Sequence, residues 1–210
     1  MKLLALLLTL ACVVNAQTTH LLPFASSGNT IELAVANTSS LSASEITVRV
    51  TNTPLWLRFD ATAQRIASLR AEEEVPVSFN FAVDNSAPVN QLHTLRFEIT
   101  SPGGERWTKA ITVAIAPPEQ FELFQNYPNP FNPTTTVSYQ LSSDSRVSLK
   151  VFDLLGREVA TLVQENQPAG FHQTTFDAGA LSSGTYVYQL VTTGEHGDQR
   201  ILRKTMLLLK

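Results

Sequence analysis

Apolar and polar residues alternate with a period of two along most of this chain, and a helical period does not appear after the first sixteen residues. The clearest segment spans residues 75–83, where every second residue is valine or phenylalanine. Successive side chains of a strand point to opposite faces, so this pattern indicates strands with one buried face. The sequence therefore predicts an all-β protein.

The first half of the chain carries seven short segments of this kind. Turn-forming residues separate them, and the Ser-Pro-Gly-Gly-Glu sequence at 101–105 predicts a hairpin between the last two. This number of short strands in about 100 residues is typical of an immunoglobulin-like β-sandwich. The predicted strands span residues 31–35, 46–50, 55–59, 66–69, 75–83, 95–99 and 111–115.

A change of composition at residues 116–120 marks a boundary between two domains. Pro117 and Pro118 cannot donate hydrogen bonds to a sheet and favour an extended, solvated path. We therefore divide the chain into a signal peptide (1–16), an immunoglobulin-like β-sandwich (17–117), a proline-rich linker and entry loop (118–133) and a C-terminal β-sandwich (134–210). We also expect proteolysis between residues 116 and 121.

The C-terminal part predicts a second sandwich, after a loop with three prolines between residues 128 and 133. Phe124, Tyr127 and Phe131 give this loop apolar surface, so we expect a core to cover it. Glycine-containing turns are predicted at 154–156 and 194–198. The predicted strands are 135–141, 147–153, 158–163, 172–176, 185–191 and 200–208.

The amino-terminal residues have the features of a signal peptide. Lys2 precedes an apolar run over residues 3–14, and cleavage is predicted between Ala16 and Gln17. The run is shorter than the roughly 20 residues that span a bilayer, so no transmembrane segment is expected in the mature chain. A lipoprotein interpretation centred on Cys12 would place Thr9 where an aliphatic residue is usual.

Charge and cysteine content narrow the possible functions. Cys12 is the one cysteine, so the predicted mature chain can form no disulfide. Its net charge changes from 15 − 18 = −3 to 14 − 18 = −4 when Lys2 is removed with the signal peptide. This mild acidity predicts no binding to nucleic acid.

The sequence offers no convincing catalytic, metal or cofactor site. Ser182 and Ser183 precede a glycine in a predicted turn, without the Gly-x-Ser-x-Gly motif. The acidic run at 72–74 lacks the interleaved residues of a calcium loop, and a solvated turn explains it. The histidines lie singly on separate segments, which disfavours a zinc site, at positions 20, 93, 172 and 196. We therefore predict a non-enzymatic protein without cofactors.

Two tryptophans leave open a second interpretation of the function of the first domain. Trp56 and Trp107 lie in predicted strands among aliphatic residues, where core packing is the simpler interpretation. If either indole were exposed, it could stack on a sugar ring, and the first domain would then be a carbohydrate-binding or adhesin module.

Five motifs occur in order along the last ninety residues. The entry loop contains Tyr127, Pro128, Asn129, Pro130, Phe131, Asn132 and Pro133. A hairpin with Gly156, the Gly170 and His172 pair, and the Gly184 and Tyr186 pair follow it. The last motif is a basic and apolar tail that contains Arg203, Lys204, Met206, Leu207, Leu208, Leu209 and Lys210.

Together these motifs resemble the C-terminal sorting domain of proteins exported by the type IX secretion system of Bacteroidetes-type bacteria. One departure is Phe176, where many members carry tryptophan. The resemblance implies export through the periplasm to the cell surface or medium, with residues 203–210 as the sorting signal. It also implies partners: the secretion machinery, a sortase-like protease that removes the domain, and in many members a surface lipopolysaccharide to which the mature part is joined. The likeness of residues 17–117 to immunoglobulin-like modules carries no function with it.

Overall fold

The computed structural model describes residues 19–194 and 197–210 and is all-β over these residues. The predicted signal peptide, with its cleavage site at Ala16 and Gln17, lies outside the described residues, as does His196. In the described part of the chain, no helix has the length and hydropathy needed to span a bilayer. The chain divides into an N-terminal unit that ends at Ala116 and a C-terminal unit, Pro117–Lys210.

The N-terminal unit consists of two sheets around one core. The first has the strand order β1-β8-β7-β3-β5 and the second the order β2-β6-β4. The hairpin predicted around residues 101–105 is confirmed, because β7 and β8 pair antiparallel over nine positions. The strands are β1 (Thr19–Leu22), β2 (Asn29–Ala36), β3 (Ala43–Val50), β4 (Leu57–Phe59), β5 (Ala63–Leu69), β6 (Glu74–Val83), β7 (Leu92–Thr100) and β8 (Arg106–Ile115).

The core of the N-terminal unit follows the predicted alternation. Phe79 lies at its centre with no exposed surface, and its ring centroid is 5.4 Å from that of Phe97 in the other sheet. Pro76 is also compatible with its strand. The carbonyls of Ser78 and Asn80 point away from β2 and accept hydrogen bonds from residues outside that strand. Pro76 has the same orientation, so its missing N–H interrupts no hydrogen bond between β6 and β2.

Strand β1 is absent from the sequence prediction. It is four residues long and only Leu22 is buried, so it shows no alternation. Parallel pairing with β8, about ninety residues further along the chain, creates this strand. Such a strand depends on a distant partner rather than on its own sequence.

The C-terminal unit also has two sheets that share a core. Their strand orders are β13-β10-β9 and β12-β11-β14-β15. Both hairpins predicted from glycine-containing turns occur, since β11 pairs with β12 and β14 with β15. The strands are β9 (Glu122–Leu123), β10 (Thr134–Leu141), β11 (Ser145–Phe152), β12 (Glu158–Gln167), β13 (Gly170–Asp177), β14 (Gly184–Gly194) and β15 (Gln199–Leu208).

Two strands of the C-terminal unit differ from the predicted ones. The two-residue β9 is too short to show a period, and the prediction missed it. Strand β12 continues four residues beyond the predicted end at Val163, through the polar residues 164–167. Backbone pairing with β11 extends the strand there, although no apolar alternation marks it.

Candidate functional site: the entry segment and the tail strand

The proline-rich residues 121–133, called here the entry segment, run along the edge of β10. The Phe124 amide donates to the Ser138 carbonyl at 2.9 Å, and Tyr127 and Thr136 exchange two main-chain hydrogen bonds of 3.0 Å. The peptide bonds before Pro128 and Pro130 are cis. The first half of the entry segment therefore behaves as an added strand, and the pairing ends where the prolines begin.

Next to Pro128, polar side chains replace the missing backbone pairing with β10. The Asn126 side-chain amide donates to the Pro128 carbonyl at 3.0 Å and to Thr135 Oγ1 at 2.9 Å. The Thr135 hydroxyl in turn donates to the same carbonyl at 2.8 Å. Asn126 and Thr135 are both buried, so these bonds satisfy groups that would otherwise be costly to remove from water.

Tyr188 connects the entry segment to the core. Its hydroxyl donates to the Phe124 carbonyl at 2.8 Å and accepts from the Asn126 amide at 3.0 Å. The side chain has no exposed surface, and burial raises its pKa from 10.0 to about 12. The neutral phenol is thus the form that holds the segment.

The aromatic residues of the entry segment have different environments. Phe131 is buried, as expected, and its ring centroid is 6.1 Å from that of Phe176. Phe124 is half-buried beside Phe171, at 5.9 Å. The expectation of a covering core is wrong for Tyr127, which is 82% exposed. Its main chain pairs with Thr136, and this places its ring on the solvent side.

The remaining exposed residues of the entry motif have mainly backbone roles. The Pro133 carbonyl accepts from the Ala178 amide at 2.9 Å, which joins the end of the segment to the loop after β13. Pro130 and Asn132 are exposed. Asn129 is exposed as well, but its side chain reaches the tail strand.

The predicted glycines lie at turns and strand starts. Gly156 has φ of +80°, and its amide donates to the Asp153 carbonyl at 3.1 Å in the β11–β12 turn. The hydrogen bond from the Arg157 amide holds the pKa of the Asp153 carboxyl below its usual value. Gly170, with φ of +133°, begins β13, and Gly184 begins β14.

His172 and Tyr186 make local contacts in the described structure. The imidazole of His172 stacks on Tyr139 with centroids 5.5 Å apart, and its Nε2 lies 2.8 Å from the Pro168 carbonyl. The hydroxyl of Tyr186 donates to the Ser182 carbonyl at 2.8 Å. Both interactions fasten a loop to a neighbouring strand.

The strand β15, called here the tail strand, has one buried and one exposed row of side chains. Met206 and Leu208 are buried in the core, whereas Leu207 and Leu209, the residue just after the strand, are 36% and 50% exposed. Arg203 is on the exposed row, and its Nε donates to Gln189 Oε1 at 2.5 Å. The alternation that the sequence predicted is therefore present in the structure.

Arg200 and Lys204 are the basic residues on the row of the tail strand to which Met206 and Leu208 belong. Lys204 pairs in register with the buried Tyr188 and is half-buried. Arg200, on the same row, lies over the ring of Phe121 at 5.0 Å from its centroid. Arg200 is exposed and Lys204 is only half-buried, and charged side chains on an edge strand discourage pairing with other chains.

Lys210 is attached to the loop between β13 and β14. Its amide donates to Ser183 Oγ at 3.0 Å, and its ammonium donates to the Gly179 carbonyl at 2.7 Å. The hydroxyl of Ser183 thus acts as a hydrogen-bond acceptor for the tail. This is a structural role for a residue considered above as a nucleophile.

The fold brings most, but not all, of the predicted site residues to one end of the C-terminal unit. The entry motif, the β11–β12 turn with Gly156, the start of β14 with Gly184, and the tail all lie there, as the strand registers require. Gly170 and His172 lie towards the opposite end, where β13 begins beside the end of β10.

Sequence reasoning missed several residues that hold this site. Gln125, Asn126, Thr135 and Tyr188 were not among the predicted site residues, although they make its main contacts. One signal was present: Thr135 is a polar residue at an inward-facing position of a strand whose next inward-facing residues are Val137 and aromatic or aliphatic side chains. A polar group at such a position requires a buried partner.

The possible metal ligands and the two tryptophans of the described structure form neither a metal site nor an exposed indole surface. Across residues 19–194 and 197–210, no three or more His, Cys, Asp or Glu side chains lie close enough to hold a metal ion. Trp56 is 8% exposed and edge-on to His93 at 4.8 Å. Trp107 is half-buried against the core of the N-terminal unit.

The arrangement defines a β-sandwich-like unit in which an N-terminal segment and a C-terminal strand are fastened together. Residues 125–204 match the family model described as the secretion system C-terminal sorting domain. The C-terminal unit therefore belongs to the type IX secretion sorting-domain family. The sorting domain implies an interaction with the type IX machinery and export to the cell surface or extracellular space.

Solved structures that resemble this chain share little sequence with it. No curated protein matches the sequence. A Porphyromonas gingivalis W83 protein of unknown function is 15% identical, with coverage of 95% of this chain and 98% of the other and a TM-score of 0.38. Dimeric latent PorU from Porphyromonas gingivalis is 14% identical with a TM-score of 0.36. In that comparison 98% of this chain is covered, but it spans only 20% of PorU.

Proposed function

We propose that this chain is a non-enzymatic surface or secreted protein whose C-terminal unit directs its passage through the type IX secretion system. The family match over residues 125–204 carries the proposal. The tail strand supports it, since Leu207 and Leu209 are accessible to a receptor while the folded unit retains Met206 and Leu208 in its core.

The N-terminal unit is proposed to be the delivered cargo, an immunoglobulin-like module that acts in adhesion or as an accessory surface protein. Its two sheets and continuous apolar core suit such a module. The alternative, a carbohydrate-binding module, receives less support because Trp56 is buried and Trp107 packs against the core. A flat response of residues 17–116 on a glycan array would remove that alternative.

The C-terminal unit is proposed to be removed after export by a sortase-like protease, with attachment of the remaining part to a surface lipopolysaccharide. The segment around Glu119 and Gln120 is exposed and belongs to no strand, which is the state that proteases require. Mass spectrometry of surface and medium fractions would test this step. If every exported species retained Lys210, removal of the unit would be disproved.

Deletion of residues 204–210 tests the sorting role, and export is expected to fail. The deletion also removes the buried Met206 and Leu208, so it can unfold the C-terminal unit. A second variant avoids this problem. Leu207→Gln with Leu209→Gln changes only exposed side chains of the predicted signal, and Ile201→Gln is its matched control on the exposed row of the same strand.

The readout is fractionation of a type IX-competent host with an antibody against the N-terminal unit. We expect periplasmic retention of the Leu207→Gln, Leu209→Gln double variant and normal export of Ile201→Gln. Surface or medium levels of the deletion variant equal to those of the parent chain would overturn the proposed function.

A further inference from the structure

The outer edge of the tail strand is occupied by the entry segment. Strand β15 is at the edge of its sheet, with β14 as its neighbour on the inner side. Among the described residues, the Thr205 carbonyl, both main-chain groups of Leu207 and the Leu209 amide nevertheless have partners on this side, supplied by Gln125, Asn129 and Phe131. The edge is therefore closed over residues 205–209.

Four hydrogen bonds form this closure. The Gln125 side-chain amide donates to the Thr205 carbonyl at 2.8 Å, and the Leu207 amide donates to Asn129 Oδ1 at 2.9 Å. The Phe131 amide donates to the Leu207 carbonyl at 3.0 Å, and the Leu209 amide donates to the Phe131 carbonyl at 3.0 Å. Two of the four bonds thus use amide side chains where a regular strand would use its backbone.

The prolines explain the use of side chains. Pro128 and Pro130 have no N–H and flank Asn129, so this part of the entry segment cannot form a regular ladder with β15. Gln125 and Asn129 each present a short amide that supplies the missing donor or acceptor. The rest of the segment is held from the other side by Asn126, Thr135 and Tyr188.

We propose that residues 125–131 are an edge clasp whose amide side chains, Gln125 and Asn129, are positioning residues for the sorting signal. The clasp keeps residues 205–209 in the sheet and takes the hydrogen bonds that another extended chain would otherwise form with this edge. The exposed row of Leu207 and Leu209 is then presented on a fixed strand rather than on a loose peptide. This role rests on the proposed function in type IX export.

Hydrogen exchange of the whole purified chain tests the clasp without reference to export. The Leu207 amide points away from β14 and owes its protection to Asn129, so Asn129→Ala should accelerate its exchange roughly tenfold. The Leu209 amide, which donates to a main-chain carbonyl, should change less. Asn129→Asp retains the acceptor oxygen and should restore protection at Leu207.

Asn132→Ala is the matched control, because Asn132 is an exposed asparagine of the same motif whose side chain forms no hydrogen bond to the tail strand within residues 19–194 and 197–210. In a type IX-competent host, export of Asn129→Ala should fall several-fold relative to Asn132→Ala, and Asn129→Asp should be exported normally. Because Gln125 holds the same edge, Gln125→Ala with Asn129→Ala should show the larger loss of export.

Two results would overturn the proposal. Unchanged exchange at Leu207 in Asn129→Ala would disprove the clasp, whatever the export level. Faster exchange with unchanged export would show that clasp geometry has no part in sorting. The Leu207→Gln, Leu209→Gln variant tests the proposed function separately. A failure of the proposed function can therefore be distinguished from a failure of the clasp proposal.

Discussion

The two units are built from similar paired sheets but use buried polar groups differently. In the described N-terminal unit the buried polar residue is Asn37, whose amide donates to the carbonyls of Leu41, Leu69 and Arg70 and holds a loop. The C-terminal unit buries four polar residues and two tyrosines that are less than 2% exposed. The four are Asn126, Thr135, Ser145 and Thr192.

The difference in buried polar groups reflects which segments each core holds in place. The N-terminal core is filled by aliphatic and phenylalanine side chains, and it needs only to hold two sheets together. The C-terminal core must in addition hold a segment whose backbone pairing is interrupted, because Pro128 and Pro130 have no N–H to donate. The entry segment is attached to the core by hydrogen bonds of Tyr188, Asn126 and Thr135, and these bonds require polar groups to be buried.

Unfolding of the two units can be followed separately, because their aromatic residues differ. Both tryptophans, Trp56 and Trp107, precede the boundary at Ala116, and all four tyrosines follow it. Tryptophan emission therefore reports unfolding of the N-terminal unit, and tyrosine difference absorbance reports unfolding of the C-terminal unit.

The largest expected effect is that of Phe79→Ala in the N-terminal unit. Phe79 is fully buried between the two sheets, so the variant should lose about 3–5 kcal/mol of unfolding free energy. Urea titration should show a displaced tryptophan transition and an unchanged tyrosine transition. A melting temperature within a degree or two of that of the parent chain would refute the central position assigned to Phe79.

Alkaline pH should affect mainly the C-terminal unit. Burial raises the pKa values of Tyr139 and Tyr188 from 10.0 to about 12. The neutral phenols are favoured in the folded state, so their contribution is complete below pH 10 and is lost as pH rises towards 12, by about 2 kcal/mol for each. The tyrosine transition should therefore move to lower urea over this range, further than the tryptophan transition.

Tyr188→Phe should have an intermediate effect, because it leaves the Phe124 carbonyl and the Asn126 amide without their buried partner. We expect a loss of about 1–3 kcal/mol in the C-terminal unit alone. Tyr127→Phe is the control, since that side chain is exposed, and it should change stability by about 0.5 kcal/mol or less. Equal effects of the two variants would contradict the role given to Tyr188.

The smallest expected effects come from partly exposed ion pairs, of which each unit has an example. Arg106 pairs with Glu98 at 2.5 Å in the N-terminal unit, and Lys150 pairs with Glu158 at 2.8 Å in the C-terminal unit. Arg106→Ala and Lys150→Ala should each cost about 1 kcal/mol or less, and added salt should reduce the difference further. A loss of several kcal/mol from either variant would mean that its ion pair is better shielded than the structure indicates.

Much of the fold could be predicted from local pattern. The alternation at 75–83 predicted the buried face of β6, and the alternation in the tail predicted the buried Met206 and Leu208. These predictions succeed because inward and outward positions depend on neighbouring residues alone. The sorting-domain family could also be recognised, since its motifs have a defined order and spacing.

The strands and contacts that were missed depend on partners far along the chain. Strand β1 exists because β8 lies beside it, and the exposed ring of Tyr127 follows from pairing with Thr136. Gln125 meets Thr205 across 80 residues, and Asn129 meets Leu207 across 78. No local period encodes such pairs.

Local patterns in the sequence were therefore enough to predict the all-β class, the division of the apolar segments at Pro117 and Pro118, and the match of the C-terminal part to the sorting-domain family. The closure of the outer edge of the tail strand by Gln125 and Asn129 became visible in the folded structure. The physical reason is that prolines remove backbone donors locally, whereas the groups that replace them are selected by a strand that arrives from the other end of the unit.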